Sequence, residues 1–541
     1  MAPSTAPPNV LFLLSDEHAF RYLSFLSHEE GGEPVRTPVL DGLARRGTFF
    51  ENAYCQMPLC TPSRICMLTG RDQEKCGAWS NNAIFPPDLP TLPGHLAAHA
   101  GYQTALIGKM HFGGSRQFNG FRLRPYGDYA TVNAGHQPDP LDEYEAAAPA
   151  PRGGAGVEAG APRERGEGRR RGGMMRRIRL AGPMSLPESF LQEQIVAREA
   201  VALLREQRHR SPDQPWLLCT SFSRPHFPWT APRRYWDRFW PEGATPPRVG
   251  RTGDAANHAF HVGHRKRFQT EDVTQEEIHR ARAAYMACVE YLDEILGDFL
   301  STLERDGLLD NSIVVYTTDH GEMGGEHGLF YKNTYHEAAA HVPFIVQTPE
   351  QRRGDSPALR VQTPVSLADL FPTLCGLTGV PVPDGVDGVD LSGAIRSGDP
   401  TPARKPVISQ SVLGQQAWRM LRRGDHKFVT FADPDSPDLL FDVVRDPDEQ
   451  HDLARDPAHA ALLAELRAAC LDGFDFRDVQ DRAERERADL AERFPKRIAG
   501  QTPNQLLLSD GRLVEGDAAL YLPTVVAERP ADVFDDWPGN A

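Results

Sequence analysis

An apolar run near the N-terminus leads into two acids and a histidine, Asn9-Val10-Leu11-Phe12-Leu13-Leu14-Ser15-Asp16-Glu17-His18. Such a short run is typical of a strand that is buried on both faces of a parallel sheet. Ligand sites of these sheets form where the strands end. Asp16 and Glu17 would repel each other there unless a cation lay between them, so a divalent ion is expected. A solvated acidic loop is the alternative.

A second apolar run, Ser312–Thr317, is followed closely by Asp319 and His320 and then by a glycine-rich segment, residues 321–328. Two strands that deliver acids to one edge of a sheet can build a site rich in oxygen ligands. Carboxylates with a single histidine favour Ca²⁺, Mg²⁺ or Mn²⁺ over zinc. Lys332, which follows, is either a contact for a bound anion or a solvated lysine.

Cys60 stands at a predicted helix start in Cys60-Thr61-Pro62-Ser63-Arg64, because Pro62 suits the first helical turn. A helix N-terminus offers free N–H groups and the positive end of a dipole to an anion. Cys60 is therefore a candidate reactive thiolate, with a buried structural cysteine as the alternative.

Short apolar runs alternate with helical stretches through the first half of the chain, which predicts an α/β fold with a largely parallel sheet. The predicted strands are Asn9–Ser15, Gln103–Ile107, Trp216–Ser221, Ser312–Thr317 and Pro343–Gln347. The predicted helices are Pro38–Arg46, Thr91–Ala100, Glu188–Arg208 and Gln275–Glu304. Thr274 and Glu277 are spaced as a capping box at the start of the last helix.

Changes in composition suggest the domain organisation. We expect a catalytic domain over residues 1–384, with a flexible insertion at residues 146–179 that is rich in Ala, Gly, Pro and Arg. Strand-like runs, a helix over Ala458–Leu471 and a densely charged helix over Phe474–Arg497 predict a smaller C-terminal α+β subdomain with an antiparallel sheet over residues 385–500. Residues 501–541 are expected to be an extended tail, which suggests a homo-oligomer.

Charge and composition restrict the partners and the compartment. The net charge of −15 argues against nucleic acid or an anionic membrane as partner. No apolar run is long enough to span a bilayer, and the first residues lack the features of a signal peptide, so a cytoplasmic protein is expected. The eight cysteines are scattered and form no disulfide framework.

The segment from Cys60 to Arg71 resembles the signature of the type I sulfatases, C-x-P-S-R-x-x-x-L-T-G-R, at every defined position. The resemblance implies an alkaline-phosphatase-like fold with a large mixed, mostly parallel sheet. It also implies that Cys60 is converted to formylglycine by a formylglycine-generating enzyme. The activity implied is hydrolysis of a small-molecule sulfate ester.

Other segments extend the resemblance to about Leu453. Gly108-Lys109-Met110-His111 resembles the G-K-x-H segment, whose lysine and histidine flank the sulfate. Arg224-Pro225-His226-Phe227-Pro228 resembles the P-H-x-P element, whose histidine lies near the leaving oxygen. Lys332 matches the second sulfate-binding lysine. The metal ligands implied are Asp16, Glu17, modified Cys60, Asp319 and His320, with Ca²⁺ as the most favoured ion.

Two positions depart from the usual family pattern. Most sulfatases have Asp-Asp where this chain has Asp16-Glu17, and Asp-Asn where it has Asp319-His320. The Asp-His pair is similar to the branch that contains choline sulfatases and phosphonate monoester hydrolases. The longer Glu17 side chain can reach the ion differently from an aspartate.

The mechanism that the resemblance implies uses a hydrated aldehyde to attack sulfur and then release sulfate. Arg64, Lys109 and Lys332 would offset charge on the sulfuryl oxygens. His226 would protonate the leaving oxygen and His111 would assist sulfate release, or the two roles are exchanged.

Two alternatives remain open at this point. The first is a phosphonate monoester or phosphodiester hydrolase that uses the same groups, and the second is a non-catalytic ligand-binding protein of the same fold. The substrate alcohol, whether choline, aryl, alkyl or sugar, is also left open.

Overall fold

The computed structural model describes residues 6–27, 31–113, 116–127, 173–184, 187–251, 257–398, 406–412, 414, 416–493, 505–507 and 513–515. The strands are, in chain order, β1 Asn9–Asp16, β2 Thr48–Tyr54, β3 Gln103–Gly108, β4 Leu123–Gly127, β5 Gly182–Pro183, β6 Trp216–Pro225, β7 Thr230–Ala231, β8 Ser312–Thr318, β9 His341–Gln347, β10 Leu359–Val361, β11 Val365–Ser366, β12 Val407–Ser411, β13 Trp418–Arg423, β14 His426–Phe431, β15 Leu439–Asp442, β16 Gln505–Leu507 and β17 Leu513–Glu515.

The α-helices are α1 Pro38–Arg46, α2 Cys60–Thr69, α3 Gln73–Cys76, α4 Leu92–Ala100, α5 Gly173–Arg179, α6 Gln192–Arg210, α7 Arg233–Phe239, α8 Ala259–Phe268, α9 Gln275–Arg305, α10 Glu337–Ala340, α11 Pro349–Arg353, α12 Leu370–Thr378, α13 Ser392–Ser397, α14 Ala460–Cys470 and α15 Phe476–Arg493. Single 3-10 turns occur at Glu188–Phe190, Glu326–Gly328, Leu367–Asp369 and Pro457–His459.

A nine-stranded mixed sheet forms the body of the described chain, in the order β10-β2-β9-β8-β1-β6-β3-β4 with β11 beside β2. Strand β1 lies between β8 and β6 and is parallel to both. Strand β9 runs antiparallel to its neighbours β2 and β8. The predicted α/β fold with a mixed, mostly parallel sheet is confirmed.

The alternation of β1 explains why this strand is central. Leu11 and Leu13 belong to one hydrophobic core, whereas Val10, Phe12 and Leu14 belong to the core on the opposite face. Side chains alternate between the faces of a strand, so a continuous apolar run fills both cores at once. Helices α1, α6, α7 and α9 contribute to the first core, and α2, α4, α12 and α13 to the second.

The long helix α9 begins as the sequence predicts. The Thr274 side chain accepts the N–H of Glu277, and the Glu277 carboxylate accepts the N–H of Thr274 at 2.8 Å. Strand β2 was not predicted, because Glu51 and Asn52 interrupt its apolar character. It pairs with β9 through an irregular register between Phe50 and Ala53.

The predicted C-terminal antiparallel sheet is confirmed as the four-stranded sheet β12-β13-β14-β15. Lys427 of β14 joins it to the body, since its Nζ lies 2.8 Å from Glu337 Oε1 and 2.7 Å from Glu449 Oε1. Helix α15 reaches back toward α3, where Trp79 Nε1 donates to Glu486 Oε2 at 2.9 Å. The domain boundary at residue 384 stays a prediction.

The insertion differs in part from the expectation. Residues 146–172 lie outside the described residues, but residues 173–179 form helix α5 where a flexible loop was expected. Met175 and Ile178, three positions apart, are 7% and 0% exposed, so one face of α5 is buried in the core. Most of the predicted tail also lies outside the described residues, and the homo-oligomer stays a prediction. Among the described helices, none has the length and apolar character needed to cross a bilayer.

Candidate active site

Two buried carboxylates meet at the carboxyl edge of the main sheet. Asp16 ends β1 and Asp319 follows β8, and in the parallel register of these strands Ser15 lies opposite Thr318. The N–H of Glu17 donates to Asp319 Oδ1 at 3.1 Å, which holds this carboxylate beside the end of β1. The structure thus brings together the two acidic strand ends that the sequence singled out.

Cys60 is the first residue of α2 and lies against these strand ends. Its Sγ is 3.3 Å from His320 Nε2 and 3.8 Å from Asp16 Oδ1. The preceding residue, Leu59, offers no capping side chain. The positive end of the α2 dipole therefore favours negative charge at position 60.

Arg64, one turn further along α2, links the two carboxylates. Its Nη2 lies 2.8 Å from Asp16 Oδ2 and its Nε lies 2.8 Å from Asp319 Oδ2. Its Nη1 donates to Ser221 Oγ at 3.0 Å. The side chain is fully buried, so these contacts are shielded from solvent. The planar guanidinium can serve three partners at fixed angles, which a lysine cannot do.

Lys109 enters the site directly after β3. Its Nζ lies 2.8 Å from Asp16 Oδ2. The preceding Gly108 has φ of +102°, and a β-carbon there would lie 1.9 Å from the carbonyl oxygen of Ser221. A glycine is required for β3 to stay paired with β6 while the chain turns Lys109 inward.

Lys332 lies beside Glu17 and close enough to Cys60 to attract a negative charge there. Its Nζ is 2.7 Å from Glu17 Oε2. The loop that carries it is held by Glu322, whose Oε1 accepts the N–H of Tyr331 at 2.7 Å. Glu322 is only 2% exposed, so it supports the site from inside the protein.

The two candidate histidines contact different groups of the site. His226 Nε2 is 3.4 Å from Glu17 Oε2 and 3.8 Å from Asp16 Oδ1. His111 is buried, with φ of +59°, and its ring interacts with the Cys60 thiol. His226 therefore faces the Glu17 side and His111 faces position 60.

Four buried groups could hold a metal ion, namely Asp16, Cys60, Asp319 and His320, whose donor atoms all lie within 4.8 Å of one another. Two carboxylates and one imidazole are a suitable donor set for a hard divalent cation. Glu17 lies outside this group and forms another with Asp16 and His226. Its φ of +68° accompanies a side chain that meets Lys332 instead.

Burial and nearby charge together set the electrostatics of the site. Burial raises the pKa of Glu17 to about 8, although Lys332 opposes the shift. Burial also raises the pKa of Asp319 in spite of the adjacent Arg64. Burial alone would raise the pKa of the Cys60 thiol. Attraction to the ammonium groups of Lys332 and Lys109 nevertheless holds this pKa well below its ordinary value. The site thus favours an anion at position 60.

Sequence reasoning missed two supporting residues. Ser221, which accepts from Arg64, ends a predicted strand, and that position was a usable signal. Tyr285 lies in the middle of α9, and its hydroxyl accepts the N–H of Ala19 at 2.9 Å, just after the acidic end of β1. Nothing in the local sequence of α9 marks Tyr285 as part of the site.

Comparison with known proteins identifies the family. The family profile described as Sulfatase matches residues 8–380, and a profile described as N-sulphoglucosamine sulphohydrolase, C-terminal, matches residues 325–473. The choline-sulfatase of Rhizobium meliloti (strain 1021) is 30% identical over 487 residues, which cover 88% of this chain and 87% of the relative. An arylsulfatase of Clostridium perfringens is 26% identical over 85% of this chain and 93% of its own length.

Among solved structures, the phosphonate monoester hydrolase of Silicibacter pomeroyi has a similar fold, with a TM-score of 0.67 and 20% identity over 94% of this chain and 99% of that one. The chain belongs to the sulfatase family, within the alkaline-phosphatase-like superfamily. It is a sulfuric ester hydrolase.

Proposed function

We propose that this enzyme hydrolyses a sulfate monoester to an alcohol and inorganic sulfate, using formylglycine at position 60 and one divalent cation. The observation that carries the proposal is the buried group of four donors, Asp16, Cys60, Asp319 and His320, with cationic side chains around it. A sulfate ester is an anion, and a negatively charged protein needs such local positive charge to bind it.

Asp16, Asp319, His320 and the modified residue at position 60 are the proposed ligands of the cation. We favour Ca²⁺, with Mg²⁺ and Mn²⁺ as alternatives, because most of these donors are hard oxygen atoms. When bound, such a cation acts as a Lewis acid that stabilises negative charge on a sulfuryl oxygen. Glu17, expected from the sequence to be a ligand, is proposed here as the partner of Lys332.

Cys60 is proposed to be the precursor of the nucleophile. A formylglycine-generating enzyme would act during maturation, using a two-electron oxidant that supplies the aldehyde oxygen while the sulfur leaves at the level of sulfide. The hydrated aldehyde supplies a hydroxyl group for attack on the ester. Its place at the start of α2, beside Arg64, keeps it next to positive charge.

The cationic side chains are proposed to hold the sulfuryl group. Lys109 and Lys332 each have three ammonium donors, so each can keep its carboxylate partner and still contact a sulfuryl oxygen. Arg64 keeps Asp16 and Asp319 in place and adds charge that is not screened by solvent.

Proton transfer is assigned to the two histidines. His226, on the Glu17 side, would donate a proton to the leaving oxygen. His111, beside position 60, would take a proton from the hydroxyl of the modified residue. A substrate with a good leaving group distinguishes this assignment from the opposite one, because its turnover depends little on the proton donor. Substitution of the histidine that donates the proton should therefore slow this substrate less than substitution of the other histidine.

The decisive experiment is a mass measurement of the peptide that contains position 60, together with turnover of an aryl sulfate. Conversion of the cysteine to formylglycine lowers the residue mass by about 18 Da. We expect activity to rise in proportion to the converted fraction and to vanish in Cys60→Ala. Full activity in a sample that holds only the thiol would refute the proposed nucleophile.

The same assay distinguishes the proposed sulfatase activity from that of a phosphonate monoester or phosphodiester hydrolase. The fold similarity to a phosphonate monoester hydrolase makes phenylphosphonate esters the matched comparison substrates. A higher kcat/KM for the phosphonate than for the sulfate would assign the site to phosphonate esters. An inactive sample that is fully converted and loaded with metal would instead indicate a ligand-binding protein.

A further inference from the structure

The ring of Phe227 contacts both a lysine of the active site and an arginine from helix α5. Lys332 Nζ is 4.6 Å from the centroid of this ring, and Arg177 Cζ is 4.3 Å from it. Phe227 directly follows His226 and is 8% exposed. Because both cations contact one ring, Arg177 lies in the immediate surroundings of the site.

Helix α5 is held in this position by packing. Met175 and Ile178 are buried in the main core, and the Tyr331 hydroxyl donates to the carbonyl oxygen of Met174. Tyr331 immediately precedes Lys332, so α5 is attached to the same loop that carries the lysine. The backbone from which Arg177 extends is therefore fixed relative to the active site.

The guanidinium of Arg177 meets no carboxylate among the residues that the structure describes. Among the described residues it contacts the Phe227 ring and Met174 Sδ, the latter at 3.7 Å from Nη1, and its charge also acts on the nearby Tyr331 hydroxyl. Arg179, on the same helix, has a conventional partner instead, since its Nε lies 2.8 Å from Glu277 Oε1. Arg177 is partly buried, with N–H donors left over for a ligand.

We propose that Arg177 recognises a second negative charge on the alcohol portion of the substrate, a carboxylate or a second sulfate near the ester. This inference rests on the proposed function, in which Lys332 binds the sulfuryl group and His226 faces the leaving oxygen. The alcohol portion of the substrate would extend from the leaving oxygen, which His226 faces. Phe227 is the next residue, so this portion would lie close to the ring that Arg177 contacts. The guanidinium binds planar or tetrahedral oxyanions through paired N–H donors.

The same charge disfavours a cationic alcohol. A quaternary ammonium group in this place would be repelled by Arg177 and by Lys332, and repulsion of this kind sets specificity as effectively as attraction does. The substrate class therefore differs from a choline ester, although a choline-sulfatase is among the similar proteins. The net charge of −15 makes a local cation the more necessary for a substrate with two negative charges.

The test compares aryl sulfates of matched leaving-group reactivity, whose rings carry no charge, a carboxylate, a sulfonate or a trimethylammonium group. The converted, metal-loaded enzyme should have the highest kcat/KM for an anionic ester and the lowest for the trimethylammonium ester. Arg177→Gln should lower the ratio of anionic to neutral kcat/KM about twofold to fivefold, as expected for loss of one partly exposed charge pair. The carboxylate and sulfonate arms identify which anion is preferred.

The matched control is Arg179→Gln, which removes a cation of the same helix that does not contact Phe227. Its ratio of anionic to neutral kcat/KM should equal that of the wild type. Arg177→Lys should keep part of the preference, and added salt should reduce it in the wild type. Preference for the trimethylammonium ester, or equal changes in Arg177→Gln and Arg179→Gln, would overturn the inference. Lack of turnover of all four esters would overturn the proposed function itself, whereas turnover without an anionic preference would overturn only this inference.

Discussion

Arg64 Nε lies 2.8 Å from Asp319 Oδ2, although 255 positions separate the two residues in the sequence. The same guanidinium reaches Asp16, so one side chain of α2 ties together the ends of β1 and β8. Each of the three groups is fully buried. Breaking this arrangement leaves buried charge without a partner, which makes it a site of high sensitivity to mutation.

Replacement of Arg64 by methionine should strongly destabilise the protein. It keeps much of the side-chain volume but leaves Asp16 and Asp319 without their shared cation, and a loss of about 3 to 5 kcal/mol in unfolding free energy is expected. Urea denaturation of metal-free protein measures this change. The control is Arg45→Met, at a side chain that is 65% exposed, and it should stay within about 0.5 kcal/mol of the wild type. Equal stability of the two variants would contradict the role given to Arg64.

Removal of divalent metal with a chelator should abolish turnover and lower thermal stability. Ligand binding to the folded state alone stabilises it, by about 2.7 kcal/mol when free metal is a hundredfold above Kd. Calcium, magnesium and manganese are added back in parallel, with activity and melting temperature as readouts. Asp319→Asn should reduce the increase in melting temperature that added metal produces. Asp298→Asn, at an exposed position of α9, should leave this increase unchanged. A chelated enzyme that retains full activity would exclude the proposed cation.

Substitution of Gly108 by alanine should disturb the site through the backbone. The new β-carbon would approach the carbonyl oxygen of Ser221 to 1.9 Å, so β3 must move away from β6 and shift Lys109. We expect a decrease in kcat/KM of at least about a hundredfold, since small displacements of a catalytic group are costly. Gly101→Ala is the matched control, because its φ is also positive but nothing lies within 4 Å of the new carbon. It should cost only about 1 to 2 kcal/mol of stability and leave kcat/KM unchanged.

The stability of the protein should decrease in acid partly because of His264. This residue is 2% exposed, its Nε2 donates to the carbonyl of Lys332 at 2.9 Å, and its Nδ1 has no hydrogen-bond partner among the described residues. Burial lowers its pKa from 6.5 to about 4. Between these values the unfolded chain binds more protons, so unfolding free energy should fall as the pH falls, by on the order of 3 kcal/mol.

The variant His264→Gln checks this prediction by chemical denaturation between pH 4 and 7 at fixed ionic strength. Its unfolding free energy should change less steeply with pH than that of the wild type. The two slopes should become equal above about pH 6.5. His451→Gln, at a side chain that is 79% exposed, should follow the wild-type profile. Parallel profiles for His264→Gln and the wild type would assign the acid sensitivity to other groups.

Local patterns in the sequence predicted most of the elements that carry the site. The run Asn9–Ser15 predicted β1, and the spacing of Thr274 and Glu277 predicted the start of α9. These predictions succeed because strand burial and helix capping depend on residues that are close in the sequence. Strand β2 was missed, since Glu51 and Asn52 interrupt its apolar run and lie at the irregularity in its pairing with the distant strand β9.

The sequence by itself determined the fold class, the acidic ends of two strands and the cysteine at a helix start. Only the tertiary structure decided which of these groups meet. It placed Glu17 against Lys332 and outside the four-donor group, buried Glu322 beneath the lysine loop, and set Arg177 over Phe227. The physical reason is that strand order, the backbone angle at Glu17 and the packing of α5 depend on contacts between distant segments, which no local periodicity encodes.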